Sequence, residues 1–457
     1  MRIVLTRPHY RSHIITPPLG LGYLASYLKK EGIEAKIIDG LRENLTRTAL
    51  VQRIIDEKPE MVGINCLTAF YHEVVQLAIA LREKDIRVVI GGAHPTILPY
   101  QTLVDSGADY VICGEGEIAL LKLITNNFMN DNIPGVYSGE NLFCEGNGLQ
   151  KAEVVENLDE ISFPDWEQLD PRHYPKAPHG AIVKNFPIGV LITTRGCPYA
   201  CTFCATPKLY DRRLRFRSPE NVIKEVKYLV ENFGVREIHF EDDNLTLNRK
   251  HVENICNLLI ENNLKISWAC PNGIRADKVD ESLIKLMKKS GCYYFAYGIE
   301  SADQQILENI KKMETIEQIA ISIEIAHKVG ISCQGFFIFG LPGETRETIE
   351  KTINFAKRSK LSRAQFLILD VLPGSELWDT LQGKFTPNWK KNSYKEPEWL
   401  PESLSKKEIM EAQAKAFRQF YFRPIVFFRL LKSIRLRQIR FLLERLRDYR
   451  ILGSSIL

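Results

Sequence analysis

The sequence lacks the patterns that many α/β proteins use to bind phosphates. Its 457 residues contain neither a Gly-x-Gly-x-x-Gly run nor a Gly-x-x-x-x-Gly-Lys run, so neither a dinucleotide fingerprint nor a P-loop is present. It also lacks a run of about 18 uncharged apolar residues, which argues against a transmembrane helix. The N-terminus has no charged, apolar and cleavable sequence of the signal type, so we expect a cytoplasmic protein whose ten cysteines do not form disulfides.

The net charge of +5 is unevenly distributed along the chain. Residues 415–450 carry eleven Lys and Arg against two acids, which leaves the rest of the chain slightly acidic. Two interpretations of this segment stay open: a helical cap with solvated arginines, or a basic amphipathic surface that contacts anionic lipid at the inner face of the membrane. The aromatic residues do not interleave with the basic ones as in an RNA-binding module, so no nucleic-acid partner is expected.

Three cysteines, Cys197, Cys201 and Cys204, lie close together in a run that Gly196 and Pro198 mark as a loop. A structural zinc site needs four protein ligands and a ferredoxin needs a fourth nearby cysteine, and neither is present. The other seven cysteines are scattered singly: Cys66, Cys113, Cys144, Cys256, Cys270, Cys292 and Cys333. Three thiolates on one loop can instead hold three irons of a cubane and leave the fourth iron open to a ligand.

The Cys-x3-Cys-x2-Cys spacing, with an aromatic residue before the last cysteine, resembles the motif of the radical S-adenosylmethionine (SAM) family. The resemblance implies a [4Fe-4S] cluster on the three cysteines, SAM at the open iron, and a partial barrel in residues 186–400. Six strand-like runs, starting near residues 189, 237, 266, 293, 332 and 365, alternate with helical patterns there. Ser218 and Pro219 are placed to begin the first of these helices.

The resemblance also places SAM-binding residues at successive strand ends behind the cysteine loop, where barrel chemistry is found. Glu241 and Asp242 stand where related enzymes hold the SAM amino group with Gly-Gly-Glu, although the glycines are missing here. Each acid has a structural alternative, because carboxylates at strand ends often cap helices. Arg275 is either a partner of the SAM carboxylate or a surface arginine. The residues assigned to SAM are Phe203, Glu241, Asp242, Arg275, Glu300, Ser301, Gly340 and Leu372.

Residues 1–130 show five apolar, strand-like runs, at 2–6, 34–39, 61–66, 87–92 and 109–113, separated by helical patterns. Leu21, Leu24 and Leu28 share one helical face, and Gly32 is placed to end that helix. Continuous apolar strands that alternate with helices predict a doubly wound parallel sheet. Ligands of such sheets bind outside the carboxyl ends of the strands.

This N-terminal segment resembles the cobalamin-binding domain that precedes the barrel in many radical SAM enzymes. The resemblance rests on the runs Pro-Pro-Leu-Gly-Leu-Gly-Tyr-Leu-Ala, Gly-Gly-Ala-His-Pro-Thr and Gly-Glu-Gly-Glu. It implies a cobalamin site formed by Pro18, Leu19, Gly20, Asn65, Thr68, Gly91, Gly92, His94, Gly114, Glu115 and Gly116. The Asp-x-His-x-x-Gly motif of better-known cobalamin domains is absent, so the lower ligand of cobalt is not expected to be a histidine of that motif. A domain that binds a nucleotide, or no ligand, is the alternative.

The remaining segments are a linker and a C-terminal extension. Residues 131–185 are rich in Gly, Pro, Asn and Asp and lack helical periodicity, and residues 163–171 are expected to form an extended strap between the domains. Residues 401–457 form a basic helical segment, with a helix predicted over 406–421. The predicted architecture is α/β: a Rossmann-like cobalamin-binding domain at 1–130, the linker, a partial (β/α)6 barrel at 186–400 and the helical segment.

Within the family, the chain is similar to the group of the anaerobic magnesium-protoporphyrin cyclase and the hopanoid methylases. This resemblance implies a cobalamin-dependent radical SAM enzyme, and we expect a C-methyltransferase that places a methyl group from methylcobalamin on an unactivated carbon. Two alternatives stay open: a non-methylating radical cyclase, oxidase or rearrangement enzyme on the same scaffold, and a non-catalytic cobalamin or redox sensor. The implied partners are a small-molecule or lipid-like substrate and a reductant such as flavodoxin or ferredoxin.

Overall fold

Two six-stranded sheets, one in each half of the chain, form the framework of the molecule. The computed structural model describes residues 2–12, 14–130, 133–139, 150–176, 183–390, 396–424 and 426. The fold class is α/β, as predicted. Among the helices of these residues, none is both long enough and apolar enough to cross a bilayer.

The first sheet confirms all five strands predicted for the N-terminal segment. Its strands are β1 Ile3–Arg7, β2 Ala35–Asp39, β3 Met61–Asn65, β4 Arg87–Gly91, β5 Tyr110–Ile112 and β6 Val136–Tyr137. Its helices are α1 Leu19–Lys30, α2 Arg47–Asp56, α3 Tyr71–Arg82, α4 Ala93–Ile97, α5 Pro99–Ser106 and α6 Gly116–Thr125. The strand order is β2-β1-β3-β4-β5-β6, parallel except for β6. Since the order reverses between β1 and β3, the ligand crevice is expected at their carboxyl ends.

Helix α1 ends as its sequence predicts. Gly32 has a φ of +77°, a left-handed conformation that glycine adopts without steric cost. The N–H groups of Gly32 and Ile33 donate to the carbonyls of Lys29 and Leu28, which is the Schellman pattern. The helix therefore stops at the position from which the chain can enter β2.

The second sheet is an open, entirely parallel barrel wall in the order β14-β13-β12-β11-β10-β7, which confirms six strands. These are β7 Ile188–Leu191, β10 Glu237–Phe240, β11 Ser267–Ile274, β12 Cys292–Glu300, β13 Ser332–Phe339 and β14 Arg363–Ile368. A two-stranded ribbon is formed by β8 Thr194–Arg195 and β9 Arg215–Phe216. The helices are α7 Thr206–Leu209, α8 Pro219–Phe233, α9 Arg249–Glu261, α10 Glu281–Lys289, α11 Gln304–Asn309, α12 Ile316–Val329, α13 Arg346–Arg358, α14 Glu376–Thr380 and α15 Lys406–Tyr421.

The strap expected between the domains is present and contacts both of them. Trp166 is 1% exposed, and its indole N–H donates to the Glu225 carboxylate of α8 at 2.8 Å. The Asp165 N–H donates to the Gly22 carbonyl of α1 at 3.0 Å. The Gln168 side chain pairs with the backbone of β2 at the edge of the first sheet. The strap therefore ties a helix of each domain together and covers an otherwise open strand edge.

The C-terminal helix, which the sequence placed in a separate segment from residue 401 on, packs on the barrel. Helix α15 begins with a Ser405–Glu408 capping box, as its sequence predicts. Its Gln413 side chain donates to the Phe366 carbonyl of β14 at 2.8 Å, because the helix after the sixth strand covers that strand. This contact supports the helical-cap interpretation. Membrane contact was considered for residues 415–450, and most of this segment, from residue 427 on, lies outside the described residues.

Candidate active site between the two sheets

A cavity of about 320 Å³ lies where the carboxyl ends of the first sheet meet the barrel. On the barrel side it is lined by Ile192, Arg195, Leu209 and Tyr210, which flank the cysteine loop on either side in sequence. Seven of the residues assigned to cobalamin line it: Gly20, Asn65, Gly91, Gly92, Gly114, Glu115 and Gly116. The cavity therefore lies at the predicted strand ends and is bounded by residues from both sides of the cysteine loop.

At two glycines of the cavity, no neighbouring atom of the protein excludes a larger side chain. A Cβ atom at Gly20 would meet no atom within 4 Å, and one at Gly91 would meet only the Ile112 side chain, at 3.9 Å. Gly92 differs, because its φ is +119° and a Cβ there would lie 2.5 Å from the Cys66 carbonyl oxygen. Gly20 and Gly91 thus leave the backbone open to a ligand that approaches it closely, which fits the large flat ring of cobalamin.

The other four residues assigned to cobalamin, Pro18, Leu19, Thr68 and His94, do not line the cavity. Pro18 accepts backbone hydrogen bonds at the start of α1, and Leu19 is buried in the core. The His94 ring is 3.1 Å from the Thr68 hydroxyl and stacks on Tyr71. Burial lowers the pKa of His94 to about 3, so the ring is neutral. These contacts support a structural role for His94 rather than ligation of cobalt.

The cysteine loop is held by backbone contacts to the end of α11 and the start of α14 in the barrel. Between the second and third cysteines, the Thr202 N–H donates to the Ile310 carbonyl at 3.0 Å, and the Leu377 N–H donates to the Thr202 carbonyl at 2.9 Å. Gly196 has a φ of +96°, and a Cβ there would lie 2.0 Å from the Arg213 carbonyl oxygen. The first residue of the loop must therefore be glycine.

The three thiols of this loop are unpaired and half-buried. Burial raises the pKa of Cys201 to about 11, so binding to a metal would release its proton. Among the described residues, no His, Cys, Asp and Glu side chains are grouped as a single metal ion requires. A cubane cluster places its irons at separate corners, so three spaced thiols on one loop fit it better than they fit a mononuclear ion.

Asp242, one of the acids assigned to SAM, has a different place from the one predicted. It is 1% exposed, and one carboxylate oxygen accepts four hydrogen bonds, from the N–H and hydroxyl groups of Thr193 and Thr194 at 2.6–2.9 Å. It therefore anchors the segment that leads into the cysteine loop. Its neighbour Glu241 is half-buried at the end of β10 and is the acid of this pair that a ligand can reach.

Arg275 is not a surface residue, and its guanidinium has several partners within the protein. It is 5% exposed, and its guanidinium pairs with Asp277 at 2.8 Å and lies 3.8 Å above the Tyr199 ring of the cysteine loop. It also donates to the carbonyls of Lys312 and Met313. The alternative of a surface arginine is therefore wrong, because a loop 37 residues later supplies partners for the guanidinium, whereas a contact with the SAM carboxylate stays a prediction.

Glu300 lies at the end of β12 and is paired with a lysine that the sequence did not indicate. Its φ is +63°, an uncommon conformation for a non-glycine residue that is often found at functional sites. Lys312 Nζ donates to Glu300 at 3.0 Å and lies 3.5 Å from Glu314. Burial alone lowers the pKa of Lys312, but the two carboxylates outweigh it and leave that pKa raised. Lys312 lies in a short loop that carries no recognisable motif, so nothing in the local sequence except its charge marked it as a site residue.

The other residues assigned to SAM divide into accessible and inaccessible ones. Phe203 and Leu372 are half-buried. Ser301 is fully buried, and its hydroxyl lies 3.3 Å from that of Thr352, so it supports the start of α11 instead of facing a ligand. Gly340 has a φ of +93° and donates its N–H to the buried Glu344 carboxylate at 2.5 Å.

Glu344 predicts a pH-dependent stability. Burial raises its pKa to about 8, so between its ordinary pKa near 4.5 and about 8 the folded state holds a proton that the unfolded chain releases. Stability is therefore highest below this window and falls as the pH rises through it. We therefore expect the free energy of unfolding of the cluster-free wild type, measured with urea, to fall by a few kcal/mol relative to that of Glu344→Gln between about pH 5 and 8.5, since one pKa unit is about 1.4 kcal/mol.

Glu347→Gln is the matched control for this prediction, because Glu347 lies three residues later, in the first turn of α13, and its side chain is 81% exposed. The stability difference between this variant and the wild type should change little with pH. An equally flat difference for Glu344→Gln would show that Glu344 is ionised in the folded protein.

Comparison with family models divides the chain as the two sheets do. A model described as the B12 binding domain matches residues 12–124, and one described as the Radical SAM superfamily matches residues 191–356. The second match contains the cysteine loop, Glu241 and Glu300. The first contains every residue that the first sheet contributes to the cavity except Leu5.

Several curated proteins resemble the chain over most of its length. An uncharacterized methyltransferase of Pyrococcus horikoshii is 35% identical, with 95% of each chain covered. Cytidylyl-2-hydroxyethylphosphonate methyltransferase of Streptomyces wedmorensis is 30% identical, with 79% of this chain and 77% of the relative covered. The anaerobic magnesium-protoporphyrin IX monomethyl ester cyclase of Rubrivivax gelatinosus is also 30% identical, with 92% of this chain and 77% of the relative covered.

A solved structure shares the arrangement of both domains. TsrM of Kitasatospora setae, a radical S-adenosylmethionine methyltransferase solved with cobalamin and a [4Fe-4S] cluster bound, superposes with a TM-score of 0.70 at 19% identity. The match covers 93% of this chain and 86% of TsrM. At this level of identity the likeness establishes the fold.

Proposed function

Because the chain belongs to the cobalamin-dependent radical SAM enzymes, whose cofactors are a [4Fe-4S] cluster, SAM and cobalamin, we propose that it is a methyltransferase acting on an unactivated carbon of a small-molecule or lipid-like substrate. The observation that carries this proposal is the position of the cavity. Gly20 and Gly91 line the cavity on the side of the first domain. Ile192 and Arg195 line it on the side of the barrel, in the segment that leads into the cysteine loop. A corrin bound there would face the site of SAM cleavage.

The proposed reaction needs two SAM molecules for each methyl group transferred. One takes an electron, and after hydrogen abstraction from the substrate it leaves as methionine and 5′-deoxyadenosine. The other gives up its methyl group and leaves as S-adenosylhomocysteine, and a reductant such as flavodoxin or ferredoxin supplies two electrons in all. When bound, the cluster supplies the electron that cleaves SAM, and cobalamin supplies the methyl group.

We assign the protein three tasks in this reaction. Cys197, Cys201 and Cys204 hold the cluster and leave one iron for SAM. Glu241 and Glu300 lie at the strand ends, where they can accept hydrogen bonds from the amino group and hydroxyls of SAM. The residues of both domains that line the cavity exclude solvent and so limit side reactions of the reactive intermediates.

The test is an anaerobic assay of reconstituted protein with cobalamin, SAM and a strong reductant, in which 5′-deoxyadenosine and S-adenosylhomocysteine are measured together by mass spectrometry. A methyltransferase should form both products. Formation of 5′-deoxyadenosine alone, also in the presence of candidate substrates, would favour a radical cyclase, which the 30% identity to the magnesium-protoporphyrin cyclase makes the second candidate. Formation of neither product by protein with an intact cluster and bound cobalamin would contradict both.

A further inference from the structure

Four buried charged residues connect the cavity loop of the first domain to the cluster loop of the barrel. Arg195 and Arg215 are directly paired neighbours on the ribbon formed by β8 and β9. They point toward Glu115 and Glu117, in the Gly-Glu-Gly-Glu run at the start of α6. The sequence had associated this run with cobalamin, but it did not indicate what the glutamates contact. We call these four residues the charge clamp.

The contacts of the charge clamp are short and shared. The Arg195 guanidinium donates to Glu115 at 2.5 Å and to Glu117 at 2.7 Å. Arg215 donates to the second oxygen of Glu115 and to the Val155 carbonyl. Glu115 is thus held by two arginines from adjacent strands, and each carboxylate is tied to the barrel.

The charge clamp is enclosed and balanced in charge. Its four side chains are only 6–12% exposed, and two arginines face two glutamates. Burial alone lowers the pKa of Arg195, but the carboxylate of Glu117 outweighs it and the pKa is raised. Such pairs add little net stability compared with apolar packing, yet loss of one partner leaves a buried charge without compensation. Their directional hydrogen bonds are better suited to fixing one geometry.

The position of the charge clamp links two functional elements. Arg195 is two residues before Cys197, and only Gly196 separates them. Glu115, Glu117 and Arg195 all line the cavity, and the Arg195 guanidinium also lies 5.2 Å from the Tyr23 ring of that cavity. A shift of the first domain would therefore move the cavity wall and the first cluster ligand relative to one another.

We propose that the charge clamp of Arg195, Arg215, Glu115 and Glu117 sets the distance and angle between the cobalamin cavity and the cluster loop, so that its members are positioning residues for methyl transfer. The role in methyl transfer rests on the proposed function, whereas the role in joining the domains does not. Misplacement of reacting groups by about 1 Å can cost about 100-fold in rate. Loosening the clamp should therefore impair methyl transfer more than SAM cleavage.

The first test uses amide hydrogen exchange of the full chain without cofactors. In Glu117→Gln, the amides of residues 114–117 and 194–216 should exchange about ten-fold faster, because local opening of these segments no longer has to break the ion pair between Arg195 and Glu117. Glu156→Gln is the control, since Glu156 pairs with Arg213 at 2.6 Å but both side chains are more than half exposed. It should leave these amides unchanged. Equal exchange in Glu117→Gln and the wild type would overturn the proposal.

The second test measures coupling in the reconstituted enzyme. In Glu117→Gln, the ratio of 5′-deoxyadenosine to S-adenosylhomocysteine should rise about ten-fold or more at unchanged iron content. The conservative variant Glu117→Asp, which keeps the negative charge, should restore the ratio at least in part. A loss of both products in equal proportion would show a general structural role and overturn the positioning role. If the wild type itself forms no S-adenosylhomocysteine, the proposed function fails, and hydrogen exchange still decides whether the clamp joins the domains.

Discussion

Replacing Cys201 with alanine is expected to abolish formation of 5′-deoxyadenosine. Cys201 is the middle ligand of the proposed cluster, and no other cysteine lies close to it in sequence except Cys197 and Cys204. Loss of an outer-shell partner of a metal typically costs 10–100-fold in affinity or activity, so loss of a direct ligand should cost at least about 100-fold. Iron and sulfide per chain, the near-ultraviolet and visible absorption of the cluster, and 5′-deoxyadenosine by mass spectrometry measure the effect.

The matched control is Cys256→Ala, which makes the same substitution at a fully buried cysteine of α9. That variant should keep its iron and its 5′-deoxyadenosine formation, at the cost of some stability from the small cavity it creates. Cys201 is only half-buried, whereas Cys256 is buried, so Cys201→Ala should disturb the core less and remain folded. Retention of four irons and of SAM cleavage in Cys201→Ala would refute the cluster assignment.

Replacing Lys312 with methionine is expected to destabilise the cluster-free protein by about 3–5 kcal/mol, the usual cost of removing one partner of a buried ion pair. Lys312 is 7% exposed and holds Glu300 at 3.0 Å and Glu314 at 3.5 Å. Without it, the buried Glu300 carboxylate would lose this ion pair, and Glu314 would keep the more distant Arg275, at 3.7 Å. Urea unfolding under anaerobic conditions measures the change.

The adjacent lysine provides a close control. Lys311 pairs with Glu376 at 2.6 Å, but both side chains are about half exposed, so Lys311→Met should change stability by at most about 1 kcal/mol. Adding Glu300→Gln to Lys312→Met removes one uncompensated charge and should recover part of the loss. Equal effects of the two lysine substitutions would mean that the charge of Lys312 is not buried in the folded protein.

Local sequence patterns predicted the elements well because each depends on near neighbours. The strand-like runs, the Schellman end of α1 at Gly32, and the starts of α8 at Pro219 and α15 at Lys406 follow from apolar periodicity, backbone conformation and capping over a few residues. The cysteine loop is equally local, since its three thiols lie within eight residues. Strand ends were therefore also predictable, and with them the general position of the cavity.

Individual side-chain roles were harder to predict, because a position at a strand end does not determine which way a side chain turns or what it meets. Asp242 turns back to the threonines before the cysteine loop, whereas its neighbour Glu241 stays half-buried at the strand end. His94 lies in an expected ligand loop but is packed against Tyr71. Alternation of faces along a strand separates such neighbours only where the strand is regular, and these residues lie beyond its last regular pair.

The sequence by itself determined the two-domain α/β architecture, the cluster loop and the cofactor class, because these depend on periodicity and on motifs of a few residues. Only the tertiary structure decided the partners of the buried charges. Arg195 meets Glu117 across 78 residues, and Arg275 meets the carbonyl of Lys312 across 37 residues. A charged side chain can be buried only where an opposite charge or another hydrogen-bond partner is available, and which partner is available depends on how segments distant in sequence pack together.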